Sequence, residues 1–377
     1  MTKILNLIKN FKNNYPVTFG LIIFIIIFIF LNKVSKNFLK QTELEKRKIP
    51  EFLKIVYGKD NVEDYKIVLQ EQTTTFIYKE FVEFSEKKRS GKFTIVSQMG
   101  NRCNYNEQSK CNLPIGGKNE IWIFGGSTTF GYGVKNNETI SAHLQNLLNN
   151  EFNVVNFGTG YYYSTQERIL LNNLLTKLNS PYAVVFIDGL NEFYKDYNYH
   201  ETAYTKLIKH KMNKSSTDDL VDYLNERFDR LNIVRLLREK FFDNKKNNLT
   251  KIKNGLDKNE LNDMVNILLN NQKIIKAISD EYKFKLVQIL QPVPIFNDSY
   301  DTSNLPDEYK KNLNKNIKLQ KLKEGYDIYL SKNSKTVINL SNFKINESMY
   351  IDRVHYSSKF NLEIAKQIMQ NLFKKEN

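Results

Sequence analysis

The chain is poor in the residues that staple or ligate small folds. Of 377 positions, two are Cys, four are His, seven are Pro and one is Trp. That excludes a disulfide scaffold and leaves no His/Cys cluster with metal-ligand spacing, so neither a metal nor a cofactor is expected. The 15 Gly follow no three-residue period, which excludes a collagen-like chain. What remains is 41% hydrophobic and 26% charged, the composition of a folded protein of one large domain or two smaller ones.

Charge of one sign is in excess, at +15, but it is not arranged as a nucleic-acid surface. Nine Lys/Arg and two Glu fall in the first 48 residues, around one segment, and the rest is scattered without an aromatic-interleaved stripe. No nucleic-acid partner is expected.

That segment is the single long run without charge. Val17 to Leu31 reads VTFGLIIFIIIFIFL, and Pro16 to Asn32 extends it to seventeen residues, near the lower limit for a membrane-spanning helix. A cleaved signal peptide would end in small residues, and Asn32-Lys33-Val34-Ser35-Lys36 offers none. A buried core helix would rarely be so uniformly Ile and Phe between lysines. Residues 1–34 therefore read as an uncleaved N-terminal membrane anchor. Three Lys before the run and six Lys/Arg after it put the bulk of the chain in the cytoplasm if the positive-inside rule is taken literally. Cys103 and Cys111, eight positions apart in a polar stretch, point the other way, because a disulfide there would close a short loop in an oxidising compartment. Two unrelated thiols are the competing reading. The expectation is a domain outside the cytoplasm.

Residues 35–117 form a polar stalk and N-terminal extension with one alternating run, Phe93 to Val96. From residue 118 to 377 the pattern changes. Short β-branched runs (Ile121 to Phe124, Val154 to Phe157, Ala183 to Ile187, Leu286 to Leu290, Val337 to Leu340) alternate with helical periods (Ile140 to Leu148, Gln166 to Leu178, Leu261 to Ile278, Leu362 to Leu372). Such alternation predicts an α/β domain, a three-layer α/β/α sandwich on a parallel five-stranded sheet. An interruption at 195–255 carries Leu220, Leu224, Phe228, Leu231, Val234 and Leu237 at helical spacing. It reads as an amphipathic insertion that covers the sheet edge, a lid or a membrane-facing helix being the alternatives.

In a parallel sheet, ligands bind at the carboxyl ends of the strands. After the first run stands FGGSTTFGYGV, which presents Ser127 in a glycine-rich turn; capping a helix is its plainer use. Near the far end, Asp352 precedes His355 by three residues, a spacing that lets a carboxylate orient an imidazole base. Between them, Gly158 follows the second run and Asn191 the third. A tetrahedral oxyanion needs preorganised donors, which the Ser127 and Gly158 N–H groups and the Asn191 amide could supply. A turn role explains Gly158 and Asn191 as well. There is no G-x-S-x-G and no P-loop, and Gly158-Thr159-Gly160 lacks the third glycine of a dinucleotide loop.

In this chain order, Ser127, Gly158, Asn191 and His355 resemble the four blocks of the SGNH (GDSL-type) hydrolase superfamily over about residues 118 to 375. The elements FGGSTTFGYGV, DGLNE, DRVH with the following Tyr and Ser, and Gln291-Pro292 carry the likeness. The resemblance implies Ser127 as nucleophile, His355 as base, Asp352 as its orienting acid, and an oxyanion hole of Ser127, Gly158 and Asn191. Gly126 stands where the family has Asp, and Glu192 follows Asn191 where Asp is usual. The implied activity is a serine esterase that cleaves or transfers an acyl group. Anchored members resemble carbohydrate O-acetyl esterases, so the substrate expected is a short acyl ester on a carbohydrate. A lipid or phospholipid ester is a second option, and a catalytically silent polysaccharide-binding or assembly subunit comes from a different class. Phe130, Tyr132, Tyr161, Tyr162 and Tyr163 adjoin the expected rim and could stack on sugar rings, although packing is the commoner use of such residues.

Overall fold

The computed structural model describes residues 13–46, 54, 56–73, 76–194, 257–296, 317–332, 337–345, 349–352 and 354–374. It falls into two units, one containing residues 1–48 and the other residues 49–202 and 253–377. In the first unit the apolar run lies inside a helix, α1 (Pro16–Lys46), and its stretch Pro16–Lys36 is long and apolar enough to cross a membrane. The expected insertion at 195–255 lies outside the described residues.

The second unit opens with α2 (Val62–Glu71), an antiparallel hairpin of β1 (Phe76–Lys79) and β2 (Glu83–Glu86), and a short pair, β3 (Arg89–Ser90) and β4 (Ile95–Val96). The central sheet follows. Its strands are β5 (Glu120–Gly125), β6 (Asn153–Asn156), β7 (Ala183–Asp188), β8 (Lys285–Leu290) and β9 (Ile338–Asn339). They lie in the order β6-β5-β7-β8-β9, all parallel. The chain connects them through α3 (Ser127–Phe130), α4 (Ile140–Leu147), α5 (Ser164–Leu175), α6 (Leu190–Phe193), α7 (Lys258–Tyr282) and α8 (Ile317–Lys332), and ends on α9 (Ser358–Leu372). The expected three-layer α/β/α sandwich on five parallel strands is what forms.

Strand side chains alternate between the two faces, and both faces of the central strands are apolar, so helices must cover both. Ile121, Ile123, Val154, Val185 and Ile187 pack under Ile140 and Leu144 of α4 and Ile364 and Ile368 of α9. Trp122, Phe124, Val155, Val184 and Phe186 turn to the other face, under Leu170, Leu171 and Leu174 of α5 and Ile275 of α7. There Phe157, Phe124 and Phe186 stack ring on ring at 5.1 and 5.0 Å. Each such buried side chain contributes about 1.5–3 kcal/mol relative to exposure. Caps fix where the helices begin: the Ala142 N–H donates to Thr139 Oγ1, and Asp257 and Glu260 cap each other's N–H groups. Helix α8 stands in addition to the helical periods that the sequence pattern predicts. Its Leu322, Tyr326 and Tyr329 pack against Leu261 and Leu268 of α7, and their helical spacing was the available signal.

From residue 49 on, the extension is part of the same unit as the sheet. The bridges Val96↔Arg102 and Arg102↔Asn156 continue the sheet past β6, and Cys103 and Cys111 form a disulfide with Cα atoms 4.7 Å apart.

Candidate active site

Strand β5 runs straight into the turn that carries Ser127, the first residue of α3. The Phe130 N–H donates to the Gly126 carbonyl and the Gly131 N–H to the Ser127 carbonyl. This one helical turn holds Ser127 half-buried at the carboxyl end of the sheet. Ser127 Oγ lies 2.9 Å from His355 Nε2, and His355 Nδ1 lies 2.6 Å from Asp352 Oδ2. The other oxygen of Asp352 accepts the Val354 and His355 N–H groups, each at 2.8 Å. Burial pushes the Asp352 carboxyl up, but the charge and hydrogen bond of His355 and the two backbone donors outweigh it and hold the group at about 2. With Asp352 ionised, Nδ1 carries the imidazole proton and Nε2 is left to accept the Ser127 O–H. The Tyr132 ring flanks His355 at 5.8 Å.

A Cβ at Gly126 would meet Asn191 Nδ2, so the amide of α6 lies directly against the Ser127 turn. One Asn191 amide hydrogen goes to the Tyr162 carbonyl at 2.7 Å, and an amide has two. The Ser127 N–H stands in the first turn of α3, where a helix provides no internal acceptor. Gly158 lies against the backbone of Thr129 and Phe130, but its N–H donates to Asn156 Oδ1 at 2.9 Å. Of the three donors the sequence suggested, Gly158 is thus already committed. The reason is Asn156, buried at the end of β6, whose amide nitrogen also reaches the Thr129 carbonyl and Ser141 Oγ, each at 3.0 Å.

The loop after Ser127 is gripped by residues that sequence reasoning passed over. Arg102, fully buried, donates to the carbonyls of Phe130 (2.9 Å), Gly131 and Val134 (2.6 Å) and to Asn136 Oδ1 (3.1 Å). The Gln72 amide donates to the Val134 carbonyl and accepts the Gly133 N–H, while the Tyr57 hydroxyl donates to the Gly133 carbonyl. Glu86 of β2 accepts from the Tyr132 hydroxyl (2.7 Å), the Gly160 N–H (3.2 Å) and Arg89 (3.0 Å). Burial raises the Glu86 carboxyl, against the pull of these partners.

Behind Asn191 lie three buried carboxyl groups. Glu192 accepts the Ser164 N–H (2.7 Å) and the Gly189 N–H (3.0 Å), which ties the start of α6 to that of α5. Burial first, then the charge of Glu192, pushes Asp188 up to about 8. Burial and the Asp188 charge raise Glu167 well above its ordinary range, and the two share a hydrogen bond.

The aromatic residues next to the rim divide. Phe130, Tyr162 and Tyr163 are buried, and the Tyr162 hydroxyl donates to the Phe84 carbonyl, so packing is their use. Tyr132 is half-buried, and Tyr161 is 66% exposed. Among the described residues no group of three or more His, Cys, Asp or Glu could hold a metal ion.

No protein-family model matches the chain, and no curated protein matches it. Solved structures do. The chain is similar to an acetyl xylan esterase at 14% identity and a TM-score of 0.35, covering 67% of this chain and 98% of that one. It is similar to a carbohydrate acetylesterase family member from Sinorhizobium meliloti at 11% and 0.33, covering 68% and 99%. It is also similar to an alpha/beta hydrolase from the metagenome of Lake Arreo, Spain, at 14% and 0.30, covering 69% and 96%.

Proposed function

We propose that the chain is a serine hydrolase that cleaves an acyl ester, with Ser127 as nucleophile, His355 as general base and Asp352 as the group that orients His355. The observation that carries the reading is the continuous line from Ser127 Oγ to His355 (2.9 Å) to Asp352 (2.6 Å) at the carboxyl end of a parallel sheet. Ser127 Oγ attacks the ester carbonyl while His355 Nε2 takes its proton. The imidazolium that forms faces a carboxylate held ionised, and returns the proton to the departing alcohol. Water then attacks the acyl-serine by the same route in reverse. The tetrahedral oxyanion is met by the Ser127 N–H and the second amide hydrogen of Asn191. Gly158 would join them only by giving up its bond to Asn156.

The substrate class that fits is a short O-acyl group on a carbohydrate. Polar groups that could meet a sugar ester stand at the Ser127 turn: the Asn191 amide lies against Gly126, and His355 lies 2.9 Å from Ser127 Oγ. Helix α1 serves as a membrane anchor, and the Cys103–Cys111 disulfide fits a domain on the oxidising side of that membrane.

Fluorophosphonate labelling of the full-length protein in detergent tests the assignment. Labelling of the wild type and none of Ser127→Ala is expected. Equal labelling of both would overturn it by placing the activated nucleophile elsewhere, and no labelling of a folded wild type would overturn it in favour of a silent scaffold.

A further inference from the structure

Tyr161 is placed against its own backbone preference. The turn that follows Gly158 is closed by the Tyr162 N–H donating to the Thr159 carbonyl at 3.1 Å, and is pinned to β5 by the Thr159 N–H on the Gly125 carbonyl at 3.0 Å. Tyr161 occupies the third position of this turn with φ of 67°, where Gly or Asn is the comfortable residue. Burial does not compensate for the strain, because the side chain is 66% exposed. A strained, exposed aromatic on a loop beside a reactive serine asks for a ligand.

Its neighbours lead to the reacting groups. The Tyr161 ring meets Phe76 of β1 edge-on, with centroids 6.0 Å apart. Phe76 and Tyr132 both lie against Gly160, so closely that a Cβ there would sit 3.2 Å from each. Tyr132 in turn flanks His355 at 5.8 Å. A line of rings thus runs outward from the imidazole to the exposed Tyr161, and one of its members, Phe76, comes from the extension.

We propose that Tyr161, buttressed by Phe76, is a stacking platform for a pyranose ring of the carbohydrate that carries the ester. This rests on the esterase reading and adds where the alcohol half of the substrate binds. The ligand class follows from the exposure of the ring. A Tyr ring left 66% exposed suits a flat ligand with one apolar C–H face that keeps its hydroxyl groups in water, and Tyr adds a polar tip beside its apolar face. A long acyl chain would need walls on more than one side to leave water.

The test compares the full-length wild type with Tyr161→Gly, which removes the ring and relieves the backbone at once. Substrates are a partly O-acetylated β-1,4-linked hexasaccharide, p-nitrophenyl acetate and p-nitrophenyl decanoate. The expected result is that kcat/KM for the hexasaccharide ester falls about five- to tenfold more than for either nitrophenyl ester. In a Ser127→Ala background, the Kd of the non-acetylated hexasaccharide should rise by a similar factor, with Tm unchanged or raised. Equal losses on all three substrates, a larger loss on the decanoate, no hexasaccharide binding by Ser127→Ala, or a lowered Tm would each overturn the platform. Binding in the Ser127→Ala background does not depend on catalysis, so a failure of the esterase reading shows separately, as absent fluorophosphonate labelling.

Discussion

The two sides of the Ser127 turn are held by different means. On the sheet side, strand ends bring the groups together at van der Waals and hydrogen-bond distance: Gly126 against Asn191, Gly158 against α3, His355 against Ser127. On the extension side Arg102, Gln72 and Tyr57 take up the carbonyls of Phe130, Gly131, Gly133 and Val134. Those carbonyls are buried and would each cost roughly 1–3 kcal/mol if left unpaired. On the proposed function the sheet therefore supplies the reacting groups, and the extension supplies the hydrogen bonds that hold their loop in register.

The contrast sets an order of expected effects. The largest belongs to the sheet side. Ser127→Ala and Asp352→Asn should each lower kcat on p-nitrophenyl acetate by a factor on the order of 10⁴ with an unchanged circular dichroism spectrum; a tenfold loss or less would break the division of labour. On the extension side, Arg102→Met should cost about 3 kcal/mol or more in urea denaturation, because it strands several buried acceptors. It should also lower kcat per folded molecule. If only stability moves, the extension is a cover and not a clamp. Reducing the Cys103–Cys111 bond, which closes a short loop beside Arg102, should lower stability by about 2–3 kcal/mol, read as a shift in the urea midpoint with and without dithiothreitol.

The smallest effect concerns the acids behind Asn191. A carboxyl raised to about 8 in the fold keeps a proton that the unfolded chain releases near its ordinary value of about 3.9. Its contribution to stability is therefore full in acid and is lost as the pH rises toward 8. Asp188→Asn should flatten that decline and leave the variant about 1–2 kcal/mol more stable than wild type at pH 8, the gain staying modest because Glu167 and Glu192 remain. Thermal melts at pH 5 and pH 8 read the difference, and parallel slopes in the two proteins would refute the assignment of the proton to this pair.

What the sequence disclosed and what it withheld follow the same line. Strand runs such as Ala183 to Ile187 and helix periods such as Leu261 to Ile278 are local, so period and composition revealed them. Ser127, Asn191 and His355 were legible because they stand at strand ends or beside a partner three residues away. Edge strand β9 came out shorter than its apolar run, since Leu340 turns into a bond with Phe343 after pairing with Leu290. Arg102, Glu86 and Gln72 were invisible for a different reason. Each reaches the Ser127 side of the fold through partners about 28 to 74 positions away, and no periodicity marks such a contact. The commitment of Gly158 to Asn156 was hidden too, because a backbone donor's partner is decided only when the chain has folded.

Ser127 and His355 stand 228 positions apart in the chain. Most of the sheet can assemble as the polypeptide emerges, but the imidazole arrives only with the segment that leads into α9. Loop closure over that span is entropically costly until the sheet has already formed. On the proposed roles, the base is therefore among the last parts of the site to be synthesised, and a chain cut short anywhere before residue 355 would lack the imidazole that lies 2.9 Å from Ser127 Oγ.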